Sequence, residues 1–350
     1  MTITQTKTIA TTATLLAGLS MYGCGGKAIG DQEVIGAGGS GHEAGVGGTG
    51  GTGGGTVFDG CPGLGCAPNC GDAGIAIDKN GCPTCTCNPG PDGGTGATGG
   101  TTGCGTSTCG SLEQCFKPQF CTANLVEVTG GYSLDATEVT RAQYAAWLGT
   151  SPTTGGQLPE CSWNTGVDSF KPTGEWPPGT KGNHPVAFVD WCDAYAYCKA
   201  VGKRLCGKIG GGANGYSDYA NASLSVWFNA CSSGGTHNYP YGGNPGASDG
   251  FDGQKCNGSD LSVGTTVPVG TCLGCTSTES GYTGVYDLSG NVWEWEDSCD
   301  GFGGKQDYCR IRGGSFNSIN VILRCGYGDN DIRAGNYDNV GFRCCSLWKL

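Results

Sequence analysis

The chain has 350 residues, of which 70 are Gly and 24 are Cys, and it carries a formal net charge of -11. Gly far exceeds its usual share of about 7%, without the three-residue period of collagen, which predicts flexible linkers. So many cysteines need an oxidising compartment; this excludes an ordinary cytosolic enzyme and indicates an exported protein. Because Lys and Arg form no cluster, we expect no nucleic-acid partner.

The N-terminus is typical of an export signal. Residues 1–23 contain one cation, Lys7, and then an apolar stretch too short to span a bilayer. Gly23 and Cys24, followed by two glycines, resemble the lipobox of bacterial lipoproteins, in which Cys24 would be acylated; Met21 and Tyr22 depart from that pattern. We expect a lipoprotein of the bacterial outer membrane or cell surface, which meets the membrane only through its lipid anchor, or a periplasmic or secreted protein if the lipobox is not used.

Composition divides the rest of the chain into five parts. Residues 25–60 are a Gly-rich tether and residues 89–103 a Gly-rich linker, because neither shows an apolar face that could order it. Residues 61–88 hold six cysteines in a small module, and residues 104–121 form a stub with four cysteines, which we expect to be disulfide-bonded internally. Residues 122–350 form one large domain, long enough to bury a substantial core.

The cysteine spacing of the small module, from Cys61 to Cys87, resembles the antistasin-like module of serine-protease inhibitors. A zinc site is the alternative, but an oxidising compartment favours disulfides. In that family the cleavable bond follows the cysteine at the position of Cys66, and a trypsin-like target needs a cation there. Here the bond joins Ala67 to Pro68, so we expect a rigid spacer or a weak protein-binding element and no inhibition of trypsin-like proteases.

Two helices are predicted in the large domain. Helical spacing of apolar residues covers 138–148, with Asp135 or Thr137 as cap, and 189–201. Gly and Asn turn signals dominate elsewhere. Segments 216–221 and 239–244 are rich in Tyr, Asn and Gly, which suits an adaptable binding surface, with simple turns as the alternative.

Five motifs occur in a fixed order in this domain: GGYSLDATEVTRAQYAAWL, HPVAFVDWCDAYAYCKAVGKRLC, GVYDLSGNVWEWEDSC, RGGSF and GFRCC. Together they resemble the sulfatase-modifying-factor family, the formylglycine-generating enzymes, over residues of about 123–345. The resemblance implies an α+β fold that is irregular, disulfide-rich and C-type-lectin-like, here preceded by disordered Gly-rich linkers and the small disulfide module.

The resemblance also implies calcium. In the family, the GNVWEW turn binds Ca²⁺ through an Asn oxygen, backbone carbonyls and a Glu carboxylate, which places ligands at Asn291, Val292 and Glu294; oxygen ligands suit this hard cation. A second family site would fall on Asn257 and Asp260. The alternative is that Asn291 only forms a turn and that Glu294 is a solvated partner.

Two long-range disulfides are implied by the family as well, Cys198 with Cys344 and Cys231 with Cys325. Local pairs that the spacing makes plausible are Cys192 with Cys206 and Cys299 with Cys309. The sequence leaves Cys256, Cys272 and Cys275 undecided. If Cys24 is acylated, it forms no disulfide and 23 of the 24 cysteines remain. Because this number is odd, one thiol would be unpaired or bridged to a partner.

The copper site of the active family members does not match. Those enzymes bind Cu(I) through two cysteines at the seventh and twelfth positions of the RGGS segment, and soft thiolates suit that ion. Counted from Arg312, the positions hold Ser318 and Leu323. Ser315 is retained, but by itself it lacks a base and a metal.

Other catalytic sites also lack their residues. The iron-dependent branch of the family needs three His on an additional helical domain, whereas this domain has only His184 and His237. No nucleophile elbow indicates a Ser hydrolase. We expect His184, which precedes Pro185, to order a turn.

These observations favour a binding module without catalytic activity, which recognises a protein or a glycan at the cell surface. The alternative is an active oxidase that converts a substrate cysteine to formylglycine, with copper held by a pair such as Cys272 and Cys275. A second alternative is protease inhibition through the small module.

Overall fold

The computed structural model describes residues 75–77, 83–87, 104–105, 108–117, 119–245 and 249–346. The predicted signal peptide, Cys24, the tether of residues 25–60 and the linker of residues 89–103 lie outside the described residues. Within the described part, no helix has both the length and the apolar character needed to cross a bilayer.

The described chain belongs to two compact units, divided between Asn124 and Leu125. In the smaller unit, β1 (Ile75–Ile77) pairs antiparallel with β2 (Pro83–Cys87). A second hairpin pairs β3 (Glu113–Phe116) with β4 (Phe120–Ala123). The stub is disulfide-bonded internally, as the sequence predicts, through Cys104–Cys115 and Cys109–Cys121.

The larger unit contains two four-stranded sheets. In the first, β5 (Leu125–Val128), β6 (Tyr132–Asp135), β12 (Cys344–Ser346) and β7 (Arg204–Leu205) lie in that order, all antiparallel. In the second, the order is β10 (Gly328–Ile332), β9 (Tyr308–Arg312), β8 (Trp293–Cys299) and β11 (Val340–Gly341), and β11 runs parallel to β8. The α+β, disulfide-rich fold expected from the sequence is confirmed.

Three α-helices accompany the sheets: α1 (Arg141–Leu148), α2 (Trp191–Ala200) and α3 (Val226–Cys231). The predicted start of α1 at residue 138, with Asp135 or Thr137 as cap, is wrong: Thr140 caps the helix and forms a capping box with Gln143. Val139, just before the helix, donates its backbone N–H to the Phe342 carbonyl and accepts at its own carbonyl from the Val186 N–H, so its backbone is bonded outside the helix.

The helix predicted at 189–201 is α2, which Asp190 caps through a second capping box. Helix α3 was not predicted, since six residues are too few to show a helical period. It is capped by Ser225 and places Trp227, which is fully buried, in the main core beside Leu134 and Leu288.

Long-range disulfides tie these elements together. Cys198 is bonded to Cys344 and Cys231 to Cys325, as the family resemblance implies, and Cys299 is bonded to Cys309. The expected pair of Cys192 with Cys206 is wrong. Cys192 is bonded to Cys161 and Cys206 to Cys345, because β12 lies between β6 and β7 and brings Cys345 opposite Arg204, next to Cys206. Cys256 pairs with Cys275.

The adjacent residues Cys344 and Cys345 predict a non-additive effect on stability. Once Cys198–Cys344 has closed its long loop, Cys206–Cys345 closes only a further loop of about ten residues in the unfolded chain. Removing either pair by Cys→Ala should lower the free energy of unfolding by about 3 kcal/mol, and removing both by about 8 kcal/mol, in the chain-entropy model. Denaturant unfolding of the three variants measures this. Strict additivity of the two losses would contradict it.

Candidate functional site

The two positions that would hold copper lie side by side. A Cβ atom added to Gly314 would lie 2.9 Å from Cδ2 of Leu323 and 3.2 Å from Cβ of Ser318. The loop after β9 therefore brings the seventh and twelfth positions of the RGGS segment together. Both residues are buried. The chemistry presented there is a hydroxyl and an isobutyl group, neither of which is a ligand for Cu(I).

The Ser318 hydroxyl has a structural role instead. It accepts a hydrogen bond of 3.0 Å from the backbone N–H of Ser315 and so closes the turn. The Ser315 hydroxyl donates to Asn317 and accepts from Nδ2 of Asn339, at 2.7 and 3.3 Å. Ser315 is fully buried. Neither Asn317 nor Asn339 can act as its base, since side-chain amides do not take up protons near neutral pH.

No cysteine among the described residues is a free thiol. Cys325, the cysteine nearest in sequence to the copper positions, is bonded to Cys231. Cys275 is bonded to Cys256, and Cys272 is also disulfide-bonded. Because a disulfide sulfur is not a thiolate, Cys272 and Cys275 do not offer Cu(I) a pair of ligands while these bonds are intact.

The two histidines of the domain act separately. Nδ1 of His184 lies 2.9 Å from the Thr266 hydroxyl, and burial, with the charges of Arg141 and Lys181, lowers the pKa of His184 to about 4. Its backbone N–H donates to Lys181, so His184 closes a turn, as expected. His237 faces Glu279, with 3.7 Å between Nε2 and Oε1.

Glu294, predicted as a calcium ligand, is paired with an arginine. Its carboxylate accepts hydrogen bonds of 2.7–3.0 Å from Nε and Nη2 of Arg343, and another of 2.9 Å from Nε1 of Trp227. Both charged side chains are buried. Burial alone would lower the pKa of Arg343, but the Glu294 carboxylate raises it above its usual value. As placed, Glu294 does not fit a calcium ion, because both of its carboxylate oxygens already accept hydrogen bonds from Arg343 or Trp227.

The other predicted calcium ligands lie in different surroundings. Asn291 is buried with a φ of 61°, and its Oδ1 accepts from Val267 N–H and from Nδ2 of Asn257, at 2.9 and 3.2 Å. Val292 follows it and is also buried. Asp260 is exposed, and its carboxylate accepts a long hydrogen bond of 3.4 Å from the Ser259 hydroxyl. The structure therefore brings Asn257 to Asn291 and leaves Asp260 at the surface.

Three buried oxygens of this region have no hydrogen-bond partner: Oδ1 of Asn257, Oε2 of Glu138 and Oδ1 of Asp287. Asn291 bonds to two of these three residues: its Nδ2 donates to Oε1 of Glu138 at 3.0 Å, and its Oδ1 accepts from Nδ2 of Asn257. Burial, followed by repulsion from Asp287, raises the pKa of Glu138 well above its usual range. Burial raises the pKa of Asp287 to about 6. Unpartnered oxygens of this kind fit a hard cation, so a calcium site is compatible with Asn257 and not with Glu294.

The aromatic segments predicted as adaptable surface are held in place. The Arg310 guanidinium lies 4.0 and 4.1 Å from the ring centres of Tyr216 and Tyr219, and Arg312 lies 5.1 and 4.8 Å from those of Tyr219 and Trp227. Rings and cations thus alternate in one stack. In the other segment, Tyr239 is fully buried and stacks on Tyr241. Both segments therefore pack against neighbouring side chains in this structure.

One cavity of about 460 Å³ was not predicted at all. It lies where the end of β8, the loop of residues 212–216 and the end of β10 meet, and we call it the Arg333 cleft after the buried arginine in its wall. Residues from five separate parts of the chain line it, so no sequence spacing could have indicated it.

Comparison with known proteins agrees with this fold. The sequence profile of the sulfatase-modifying factor enzyme 1-like domain (FGE-sulfatase) matches residues 97–347, which is most of the chain. The chain belongs to this family. The match begins before the expected domain start at residue 122 and includes the cysteine-rich stub.

Two curated relatives are formylglycine-generating enzymes. The one from Mus musculus is 30% identical over 183 residues, and the one from Bos taurus is 29% identical over 181 residues. Each alignment covers 47% of this chain and 45% or 44% of the relative, so the chain spans less than half the length of these enzymes.

Among solved structures, PvdO from Pseudomonas aeruginosa is similar with a TM-score of 0.40 and 20% identity, covering 61% of this chain and 80% of that one. Treponema denticola variable protein 1 is similar with a TM-score of 0.38 and 18% identity, covering 65% of this chain and 92% of that one.

The Glu294–Arg343 pair predicts a large loss of stability when one partner is removed. Arg343→Met leaves a buried carboxylate without its counter-charge and should lower the free energy of unfolding by about 3–5 kcal/mol. Adding Glu294→Gln to Arg343→Met should recover part of that loss. Urea denaturation measures both. Arg324→Met is the matched control, because the Arg324–Asp249 pair is partly exposed and should contribute at most about 1 kcal/mol. Equal losses for Arg343→Met and Arg324→Met would contradict the prediction.

Proposed function

We propose that this protein is an exported recognition module, anchored through an acylated Cys24, whose formylglycine-generating-enzyme-like domain has lost copper-dependent oxidation and binds a protein or glycan ligand at the cell surface. The abundance of disulfides in the described residues suggests an exported protein. The lipid anchor is proposed from the sequence around Cys24 alone.

The observation that carries the proposal is the pair Ser318 and Leu323. Both side chains lie within contact distance of a Cβ built on Gly314, so the two positions are neighbours, and neither carries a thiolate. Neighbouring groups do not replace them: the Ser318 hydroxyl is bonded within its own turn, and the Leu323 side chain contacts Gly314 and Gly258. A rigid scaffold without its reactive ligands is suited to binding.

Copper loading tests the loss of oxidation. The purified full-length protein should retain no Cu(I) after gel filtration and should cause no mass loss on a Cys-x-Pro-x-Arg peptide, because no thiolate pair is available. The double variant Ser318→Cys with Leu323→Cys should retain about one Cu(I), since the two side chains lie next to each other. Mass spectrometry of the peptide and elemental analysis of the protein provide the two measurements.

The matched control is Ser223→Cys with Leu148→Cys, which makes the same two changes of residue type outside the loop of residues 312–323, at the exposed Ser223 and at the end of α1, and should not create the same site. Turnover by the unmodified protein, abolished by Cys272→Ala, would overturn the proposal and support an oxidase with a displaced copper site. Copper retention by the unmodified protein would count against it in the same way.

Calcium is a separate part of the proposal. If it binds, Asn257 is the residue that would hold it, with Asn291 and the unpartnered oxygens of Glu138 and Asp287 in the same region. The ion would supply a structural cross-link, with no part in a reaction.

Calcium should therefore raise the melting temperature of chelator-treated protein, by about 2–4 °C for each kcal/mol of binding free energy. Asn257→Ala should abolish this shift. Asp260→Ala should leave it unchanged, because Asp260 is exposed and away from the unpartnered oxygens. Differential scanning calorimetry with and without Ca²⁺ gives the answer, and an unmodified protein that does not respond would rule out calcium at this position.

A further inference from the structure

The Arg333 cleft combines polar groups that lack partners with aromatic walls. Helix α2 contributes Trp191 and Tyr195, which stack with 5.1 Å between ring centres. The end of β8 contributes Asp297, and the loop that follows β8 contributes Phe302. With 87% of its surface exposed, Phe302 is among the most exposed large apolar side chains of the described residues. An exposed aromatic ring at the edge of a concave polar site is typical of a ligand-binding position.

Asn214 supplies an acceptor whose orientation is determined by its neighbours. Its Nδ2 donates to Oε1 of Glu296 at 3.3 Å, and its backbone N–H donates to the Asp297 carbonyl at 2.7 Å. Only 3% of the residue is exposed, and its Oδ1 has no hydrogen-bond partner. A buried amide oxygen without a partner destabilises the protein unless a ligand or water donates to it.

Arg333 supplies donors. The residue is 1% exposed and lies over the Trp191 ring at 4.7 Å. Its Nη2 donates to the Gly301 carbonyl and to Asp307, but Nε and Nη1 have no hydrogen-bond partner, and Nη1 has only the Glu160 carboxylate at 3.8 Å. The backbone of Arg333 also bonds to Trp191 and Asp307, so the guanidinium is held in position before any ligand arrives.

Carboxylates complete the set. Burial raises the pKa of Asp297 to about 6, while Arg204 opposes the shift, and no described residue donates a hydrogen bond to its carboxylate. The Glu160 carboxylate lies 3.8 Å from Nη1 of Arg333. The cleft thus holds guanidinium donors and carboxylate or amide acceptors within one small volume.

The presence of both hydrogen-bond donors and acceptors in the cleft limits the chemical class of ligand that it can bind. An anion would meet Asp297 and Glu160 and leave the Asn214 oxygen without a donor. A cation would meet Arg333 and leave its Nε and Nη1 without acceptors. A neutral polyhydroxyl ligand satisfies both sets, because each hydroxyl both donates and accepts, and its apolar C–H face can lie on an aromatic ring. We propose that the Arg333 cleft binds a neutral sugar residue of a glycan. This inference rests on the proposed recognition function and gives that function a site and a ligand class.

A glycan array tests it with the full-length protein as the probe and three classes of immobilised oligosaccharide: neutral, sialylated or sulfated, and amino-sugar. We expect binding to neutral oligosaccharides. Isothermal titration with the strongest neutral oligosaccharide should then show a loss of at least about tenfold in affinity for Asn214→Ala and for Phe302→Ala.

Leu273→Ala is the matched control for Phe302→Ala, since Leu273 is 73% exposed and does not line the cleft; it should bind as the unmodified protein does. Circular dichroism verifies that each variant is folded. If Asn214→Ala does not fold, Phe302→Ala still tests the cleft, because Phe302 lies at the surface.

Equal affinity of Phe302→Ala and Leu273→Ala would overturn the cleft as the site while leaving a glycan-binding function in place. Binding confined to charged oligosaccharides, or to none, would overturn the ligand class, and a protein that also oxidises the Cys-x-Pro-x-Arg peptide would overturn the recognition function itself.

Discussion

The buried ion pair of Arg343 and Glu294 is the interaction on which the larger unit depends. Glu294 belongs to β8 in one sheet, and Arg343 immediately precedes β12 in the other. The guanidinium also donates to the backbone carbonyls of Asp135 and Tyr286. One charge therefore joins both sheets and the loop before β8. Such a pair gives little net stability over an apolar replacement, but losing one partner is costly, so it enforces one arrangement of the elements.

Adjacent cysteines extend this constraint. Residues 344 and 345 point to opposite sides of β12, as successive strand residues do, and each is bonded to a different element, Cys198 of α2 and Cys206 after β7. The C-terminal strand is thereby connected through covalent bonds, hydrogen bonds and charge to most of the unit. Short, irregular loops can then keep defined positions with little regular secondary structure around them.

A scaffold of this rigidity can lose its reactive groups without losing its fold. Ser318 and Leu323 remain next to each other because the turn at Ser315 and the contacts of Leu323 with Gly258 and Gly314 hold them there. The same rigidity holds Arg333 and Asn214 with polar atoms that have no partner in the protein. Polar groups left in this way on a fixed framework favour a ligand that completes their hydrogen bonds.

By itself, the sequence determined the family, a disulfide-rich chain, the presence of Ser318 and Leu323 at the seventh and twelfth positions of the RGGS segment, and the approximate helices α1 and α2, because motifs, cysteine counts and apolar periods are local properties. Only the tertiary structure decided which cysteine meets Cys206, that Arg343 pairs with Glu294, and that Arg310 and Arg312 lie against the rings of Tyr216 and Tyr219. It also created the Arg333 cleft, since residues as far apart as Glu160 and Arg333 become neighbours only when the chain has folded. Contacts between distant parts of a chain follow from strand order and packing, which no local pattern of residues records.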